Sequence, residues 1–380
     1  MFKAYKFRIY PTKSQRTKME QTLDLCRWTY NQTLAYRKDA WEKEGKSVSK
    51  YETHNLIHVL KRDKPELKKV YAQTLQDVQE RVDLAFKAFF RRVRARENPG
   101  YPRFKGAGQY ESFTYPQPEK GGNLVNNKVR LPKIGDIKIK LHRPIKGKIK
   151  RLTVRRAATG KWYACFSVEI EDQPKPPWKD GSLVGIDVGL ESFATLSNGE
   201  KISNPRFFRH EEDVLAKAQS KRDKLPKGSV FRRKASKVVA RIHERIANRR
   251  SNFIHQISHD LVSKFGFIVF EDLNIQNMLQ NHNLAKSIHD VAWNMLVTLT
   301  SYKTGSAGSM VVLVDPRNTS KMCSRCGILV EKTLSDRVHN CNQCGLSMDR
   351  DWNAAINILR LGLQSVGTGS RGSSVFKNGE

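Results

Sequence analysis

The stretch Val184-Gly185-Ile186-Asp187-Val188-Gly189 constrains this chain more than any other. It is an apolar strand that ends in a carboxylate, with glycine on either side. A carboxylate directly after such a run is costly to bury unpaired. At the end of a strand in an α/β sheet, however, it points into the crevice where such folds bind ligands. A second apolar run, Phe267-Ile268-Val269-Phe270, ends in Glu271 in the same way. Near the C-terminus Asp351 opens a helix-forming stretch, where the positive end of the dipole favours an ionised acid. Asp349 competes for that role. Three carboxylates on separate elements, with no cationic partner to neutralise them, are a donor set for Mg²⁺, which prefers oxygen ligands and keeps some of its water. Two such ions about 4 Å apart can activate a water and stabilise the leaving oxygen of a phosphodiester. A strand followed by Asp-x-Gly also occurs in actin-like ATPases, but the further glycine-rich phosphate loops of that pattern are absent here.

Four of the six cysteines are clustered as Cys323-x-x-Cys326 and Cys341-x-x-Cys344, with fourteen residues between the pairs and glycine after each, at 327 and 345. Four thiolates close a tetrahedral structural zinc site with no open position for chemistry. His339 is an alternative ligand. Cys26 and Cys165 stand alone in apolar patterns and read as core. The start, Met1-Phe2-Lys3-Ala4-Tyr5, has no long apolar segment, and no run of about 18 apolar residues occurs anywhere. These features point to the cytosol, no membrane association, and reduced thiols that favour one structural Zn²⁺ over disulfides.

The 380 residues carry 69 Lys and Arg against 37 Asp and Glu, a formal net charge of +32. Such a surface repels itself unless a polyanion neutralises it, and without a membrane signal that polyanion is nucleic acid. Lys234, Lys237, Arg241, Arg245 and Arg249 recur at spacings of three and four, forming one helix stripe almost free of acids. Val238, Ile242, Ile246, Phe253, Ile257 and Leu261 line another face. Arg103 and Lys105 lie among Tyr101 and Phe104, so stacking on unpaired bases can accompany phosphate contact, though any one aromatic reads first as core.

Residues 2–11 alternate as a strand ending at Pro11, and Thr12-x-x-Gln15 forms a capping box for a helix with Met19, Leu23, Cys26, Tyr30 and Leu34 on one face. A second long helix after Pro65 carries Leu75, Val78, Val82, Phe86, Phe89 and Val93. From 110 to 172 the period changes to two, with Ile137, Ile139 and Leu141 opposite Lys138, Lys140 and His142. Pro174, Pro176 and Pro177 mark a linker. A mixed α/β pattern follows, with an Asn198-Gly199 hairpin turn, a helical stretch over about 208–263 broken near Pro226-Lys227-Gly228, a helix through Trp293, and a strand at Val311–Val314.

Taken together these residues resemble the TnpB-like proteins of insertion sequences, relatives of type V CRISPR effectors. The resemblance rests on Lys6-Phe7-Arg8-Ile9-Tyr10-Pro11, Tyr30-Asn31, Ala85-Phe86-x-x-Phe89-Phe90-x-Arg92 and Pro102-Arg103-Phe104-Lys105. It continues through Gly185-Ile186-Asp187-x-Gly189, Phe270-Glu271-Asp272-Leu273, Ser320-Lys321-x-Cys323-x-x-Cys326-Gly327 and Asp349-Arg350-Asp351-x-Asn353-Ala354-Ala355-x-Asn357-Ile358. It implies a multidomain α+β chain. A β-barrel-like wedge domain (1–12 and 109–178) holds an inserted helical recognition domain (13–108). A RuvC nuclease domain of RNase H fold (179–315 and 349–363) holds an inserted zinc module that binds the target nucleic acid (316–348). A disordered tail (364–380) completes the chain. The implied activity is RNA-guided cleavage of double-stranded DNA beside a short adjacent motif, by one protein monomer per guide RNA. The implied triad holding two Mg²⁺ is Asp187, Glu271 and Asp351, and Asp351 is favoured over Asp349 because it directly precedes x-Asn-Ala-Ala. The alternatives are a non-cleaving RNA-guided regulator or transposition accessory protein, and a strand-joining transposase.

Overall fold

A computed structural model describes residues 2–171, 182–273, 290, 292–305, 307–333 and 336–367. The chain divides into two units, Met1–Asp172 and Gln173–Glu380. The linker prolines, residues 274–289 and residues 368–380 lie outside the described residues.

In the first unit β1 (Phe2–Tyr10) leads into α1 (Lys13–Glu44) through the expected capping box. The Thr12 hydroxyl accepts from the Gln15 N–H at 3.3 Å, and the Gln15 side chain accepts from the Thr12 N–H at 3.0 Å. Met19, Leu23, Cys26, Tyr30 and Leu34 are all buried, as the periodicity predicts. A second capping box, Ser49 with Glu52, starts α2 (Lys50–Asp63), a helix absent from the sequence reading. After a 3₁₀ turn over Pro65–Lys69, α3 (Ala72–Arg94) buries Leu75, Val78, Val82 and Phe86, while its last turn exposes Val93. The strands β2 (Ser112–Tyr115), β3 (Leu124–Val125), β4 (Lys128–Leu131), β5 (Gly135–Lys140), β6 (Lys148–Arg156) and β7 (Trp162–Glu169) then complete an antiparallel sheet. Its order is β2-β6-β7-β1-β5-β4-β3. Because β1 lies between β7 and β5, the three helices are an excursion from a sheet the chain has already begun. Phe7, Ile9, Ile137, Ile139, Trp162 and Phe166 fill the inner face, and cross-strand pairs such as Arg8 with Lys140 and Tyr10 with Lys138 belong to the sheet's basic outer face.

The second unit is built on β8 (Leu183–Asp187), β9 (Ser192–Leu196), β10 (Lys201–Ser203), β11 (Phe267–Glu271) and β12 (Met310–Val314), in the order β10-β9-β8-β11-β12. β8, β11 and β12 run parallel, and β9 and β10 are added as antiparallel hairpins. Between them come α4 (Phe207–Asp223) and α5 (Val230–Lys264), separated at Pro226–Gly228, and α6 (Trp293–Thr304). After β13 (Val338–Asn340) and β14 (Ser347–Asp349), α7 (Arg350–Gly367) ends the described chain. It runs to Gly367, past the expected end of the domain at 363. Ile254, Ile257, Leu261 and Leu296 pack on Val184, Ile186, Ile268 and Phe270, while Ile358 and Leu359 of α7 pack with Phe267, Val269 and Val314. On α5 the expected apolar stripe holds at Ile242, Ile246, Ile257 and Leu261 and differs at its first member. Val239 is buried at 5% exposure and Val238 is exposed at 47%, since Leu215 of α4 supplies the neighbouring apolar surface.

Candidate active site and four-cysteine centre

The positions of Asp187 and Glu271 follow from strand register. β8 and β11 pair in parallel as Gly185 with Val269 and Ile186 with Phe270. One step further along, the two carboxylates end adjacent strands on the same edge of the sheet. Side chains two residues back on a strand share a face, so Gly185 and Val269 mark the face toward α7. Gly185 is a close-approach glycine: a Cβ there would lie 2.2 Å from the Ala355 carbonyl oxygen and 2.6 Å from the Leu359 nitrogen. Gly362 does the same for Val269, whose Cγ2 would lie 2.4 Å from an added Cβ. With both side chains absent, α7 lies directly on the strands, and its first turn brings Asp351 into the field of Asp187.

Burial, then the negative charges of Glu271 and Asp351, push the Asp187 carboxyl well above the usual carboxylate range, with Arg350 opposing. Burial also raises Glu271, against a hydrogen bond of 2.5 Å donated by the Thr319 hydroxyl. Such a cluster is short of positive charge. The expectation that no cation neutralises it needs one correction: Arg350 Nε lies 3.1 Å from Asp351 Oδ1, and its Nη1 donates to the Asp336 carbonyl at 2.9 Å. The structure also separates the two competing aspartates. Asp349 accepts from the backbone N–H groups of Asp351 and Trp352 at 3.1 and 3.0 Å and pairs with Lys201 at 2.7 Å. Although burial opposes it, Lys201 and these N–H groups hold its carboxyl below the usual range. Asp349 is thus committed as a helix cap, although its charge, like that of Asp351, still bears on Asp187.

The four cysteines are gathered more tightly. Among the described residues they are the one set of three or more candidate ligands gathered closely enough to hold a metal ion, their ligand atoms all within 4.8 Å of one another; the three carboxylates do not form such a set. Cys323 and Cys344 sulfurs are 3.6 Å apart, and Cys326 and Cys341 sulfurs 3.5 Å. A regular tetrahedron with metal–sulfur bonds of about 2.3 Å has sulfur edges of about 3.8 Å, so the cluster can hold a metal ion. Each pair forms the same knuckle. Cys323 N–H donates to the Ile328 carbonyl and Cys341 N–H to that of Leu346, with Gly327 and Gly345 in left-handed conformation at φ 80° and 70°. Against the upward push of burial, the N–H groups of Cys326 and Arg325 and the His339 ring hold the Cys323 thiol down at about 5. His339, fully buried, has Lys332 Nζ against its Nδ1 and lies outside the four-sulfur set.

The basic residues divide. On α5, Arg245 and Arg249 pair with buried Glu211 of α4 at 3.1 and 3.3 Å. The acid-free stripe of the sequence is thus partly answered from a neighbouring helix. Lys234, Lys237 and Arg241 are exposed and have no ion-pair partner among the described residues. In the first unit Asn31 clamps the loop at Lys105: its amide donates to the Lys105 carbonyl at 3.0 Å, and its oxygen accepts the Lys105 N–H at 2.8 Å. The clamp leaves Arg103 and Phe104 at the surface, Phe104 half exposed. The aromatics likewise divide, Tyr5 and Phe7 inside and Tyr10, Phe90 and Tyr101 outside. Thr319, Arg350, Asn353, Asn357 and Glu211 were not singled out as site residues from the sequence. Asn353 and Asn357 carried a signal, two amides four apart on an otherwise apolar helix face.

Three family models match the chain in order. One described as a helix-turn-helix domain covers residues 1–46, which here are β1 and the single helix α1. OrfB_IS605, described as "Probable transposase", covers 165–282, and the Cas12f1-like TNB domain covers 293–358. A candidate RNA-guided DNA endonuclease of Streptomyces pristinaespiralis is 35% identical over 97% of this chain and 91% of its own length. InsQ of Escherichia coli K12, also named as a candidate RNA-guided DNA endonuclease, is 30% identical over 94% of this chain and 92% of its own. The solved structure of the mini-RNA-guided endonuclease CRISPR-Cas_phi3 overlaps 96% of this chain and 92% of that one, at 10% identity and a TM-score of 0.48. Identity at the level of the first two relatives, over almost the full length of both chains, makes this chain a member of the TnpB-like family.

Proposed function

We propose that this protein is an RNA-guided DNA endonuclease that hydrolyses phosphodiesters at a RuvC-type centre of RNase H fold. What supports the reading is that the parallel neighbours β8 and β11 end in Asp187 and Glu271, and that burial and the charges of Glu271 and Asp351, at the start of α7, raise Asp187. All three donors are carboxylate oxygens, which suits Mg²⁺. These three residues would hold the ions, and bound there Mg²⁺ supplies water activation and stabilisation of the leaving oxygen. Asp187 and Glu271 offer fixed acceptors on rigid strand ends. Asp349 caps the helix that presents Asp351, and Arg350 supplies positive charge beside it. The four cysteines would hold one structural Zn²⁺ through the two knuckles.

Base pairing between guide and target supplies sequence specificity in such enzymes, while the protein provides basic surface and reads a short adjacent motif. The basic outer face of the first unit's sheet, Arg103 with Lys105, and the Lys234–Arg241 segment support that part of the reading. In it, the first unit holds the wedge and recognition parts, and one protein acts per RNA. The test is Asp187→Ala in the protein–RNA complex: cutting of matched DNA is lost while RNA and target binding persist. Undiminished cutting by this variant rules out the assigned centre.

A further inference from the structure

Helix α7 is apolar where it meets the sheet, yet it buries Asn353 and Asn357 completely. Buried amides persist where their hydrogen bonds are made; both donate to one loop, and of the two amide oxygens that of Asn353 also finds its partner there, while Asn357 Oδ1 has none among the described residues. Asn353 donates to the Met322 carbonyl at 2.8 Å and accepts the Ser324 N–H at 2.9 Å. Asn357 donates to the same Met322 carbonyl at 2.6 Å and to the Thr319 carbonyl at 2.9 Å. The segment 319–324 is thereby fixed to the helix that carries Asp351, and it leads directly into the first cysteine knuckle. At its other end is Thr319, itself buried at 3% exposure. Its hydroxyl lies 2.5 Å from Glu271 Oε1 and 3.1 Å from the Pro316 carbonyl. A hydroxyl has one proton to give, and with Glu271 ionised the shorter contact takes it. Among the described residues, Thr319 is the one side chain that donates to the Glu271 carboxylate.

We infer that the four-cysteine module sets the position of Glu271 through Thr319, making Thr319 a positioning residue for the divalent-ion site. The path runs from Cys323 through the Met322 carbonyl, Asn357 and Thr319 to Glu271. It rests on the reading of Asp187, Glu271 and Asp351 as metal-holding carboxylates. Partners that orient a ligand in this way typically change metal affinity by about 10–100-fold when removed.

The experiment is Mn²⁺ binding to the full-length protein, followed by its electron paramagnetic resonance signal. Wild type, Thr319→Val, Thr319→Ser and Asp187→Ala are compared, with the wild type also measured after zinc removal and after zinc is restored. Thr319→Val keeps the shape and loses the donor, so Mn²⁺ affinity falls about 10-fold or more at an unchanged melting profile. Thr319→Ser restores it, and zinc removal reproduces the Thr319→Val loss reversibly. Equal affinities for Thr319→Val and wild type overturn the role of Thr319. A Thr319→Val loss without any effect of zinc overturns the link to the cysteines. Should zinc removal unfold the protein, Asn357→Leu, which cuts the same path without touching the cysteines, takes its place: Mn²⁺ affinity falls as in Thr319→Val at an unchanged melting profile, and an affinity equal to wild type overturns the link. Mn²⁺ binding that Asp187→Ala leaves intact counts against the carboxylate reading itself, which separates the two failures.

Discussion

At the scale of single residues, the site is an assembly held against its own electrostatics. Asp187 is raised first by burial and then by Glu271 and Asp351. The folded chain therefore keeps a proton on Asp187 at pH values where the unfolded chain has released it. Stability falls with pH wherever the folded state binds more protons. Without divalent ions, stability contributed by this group is lost as pH rises above the ordinary carboxylate range. We expect Asp187→Asn to remove that slope and to raise cation-free stability, while abolishing cutting. Denaturation curves over a pH series check this, and a variant less stable than wild type at neutral pH contradicts it. Gly185 gives the complementary case. A methyl group there meets backbone atoms of α7 at 2.2 and 2.6 Å, which cannot move aside as a side-chain tip can. Overpacking of this kind costs about 1–3 kcal/mol, and Gly185→Ala should reach or exceed the upper figure in urea denaturation. Because α7 carries Asp351, cutting should fall with it.

At the scale of elements, much was legible and the remainder has physical causes. The carboxylates at strand ends could be read because an apolar run followed by an acid has few other uses. The cysteine knuckles were fixed by spacing, and the α1 capping box by side chains three residues apart. The helix α2 was omitted because its apolar residues are sparse, although Ser49 and Glu52 announce its start. Val238 was placed on the apolar face in place of Val239 because periodicity alone does not say where α4 will lie. The same blindness to neighbours hid Glu211, which reaches α5 from a different helix to pair with Arg245 and Arg249. That pairing yields a graded prediction. Removing a residue in phosphate contact lowers the dependence of log binding constant on log salt by about one. We expect Lys237→Ala and Arg241→Ala to show this decrement, and Arg245→Ala and Arg249→Ala a smaller one because each already has a carboxylate partner. Equal decrements at all four positions contradict the division.

At the scale of the whole molecule, a charge of +32 on 380 residues fits a protein whose partners are nucleic acids, and the two units differ in construction. The first unit offers a sheet with a basic outer face and a clamped surface loop; the second offers the carboxylate edge and the cysteine knuckles. Phosphate contacts carry no sequence information, so the RNA such a surface takes is identified by isolating it. The most direct measurement purifies the protein from cells carrying its neighbouring DNA, sequences the RNA that accompanies it, and challenges the complex with plasmid. The account predicts one discrete RNA, and cutting in Mg²⁺ only of plasmid that matches its variable end, lost in Asp187→Ala. Heterogeneous RNA with cutting indifferent to the match, or a matched target that is bound and never cut, would contradict it.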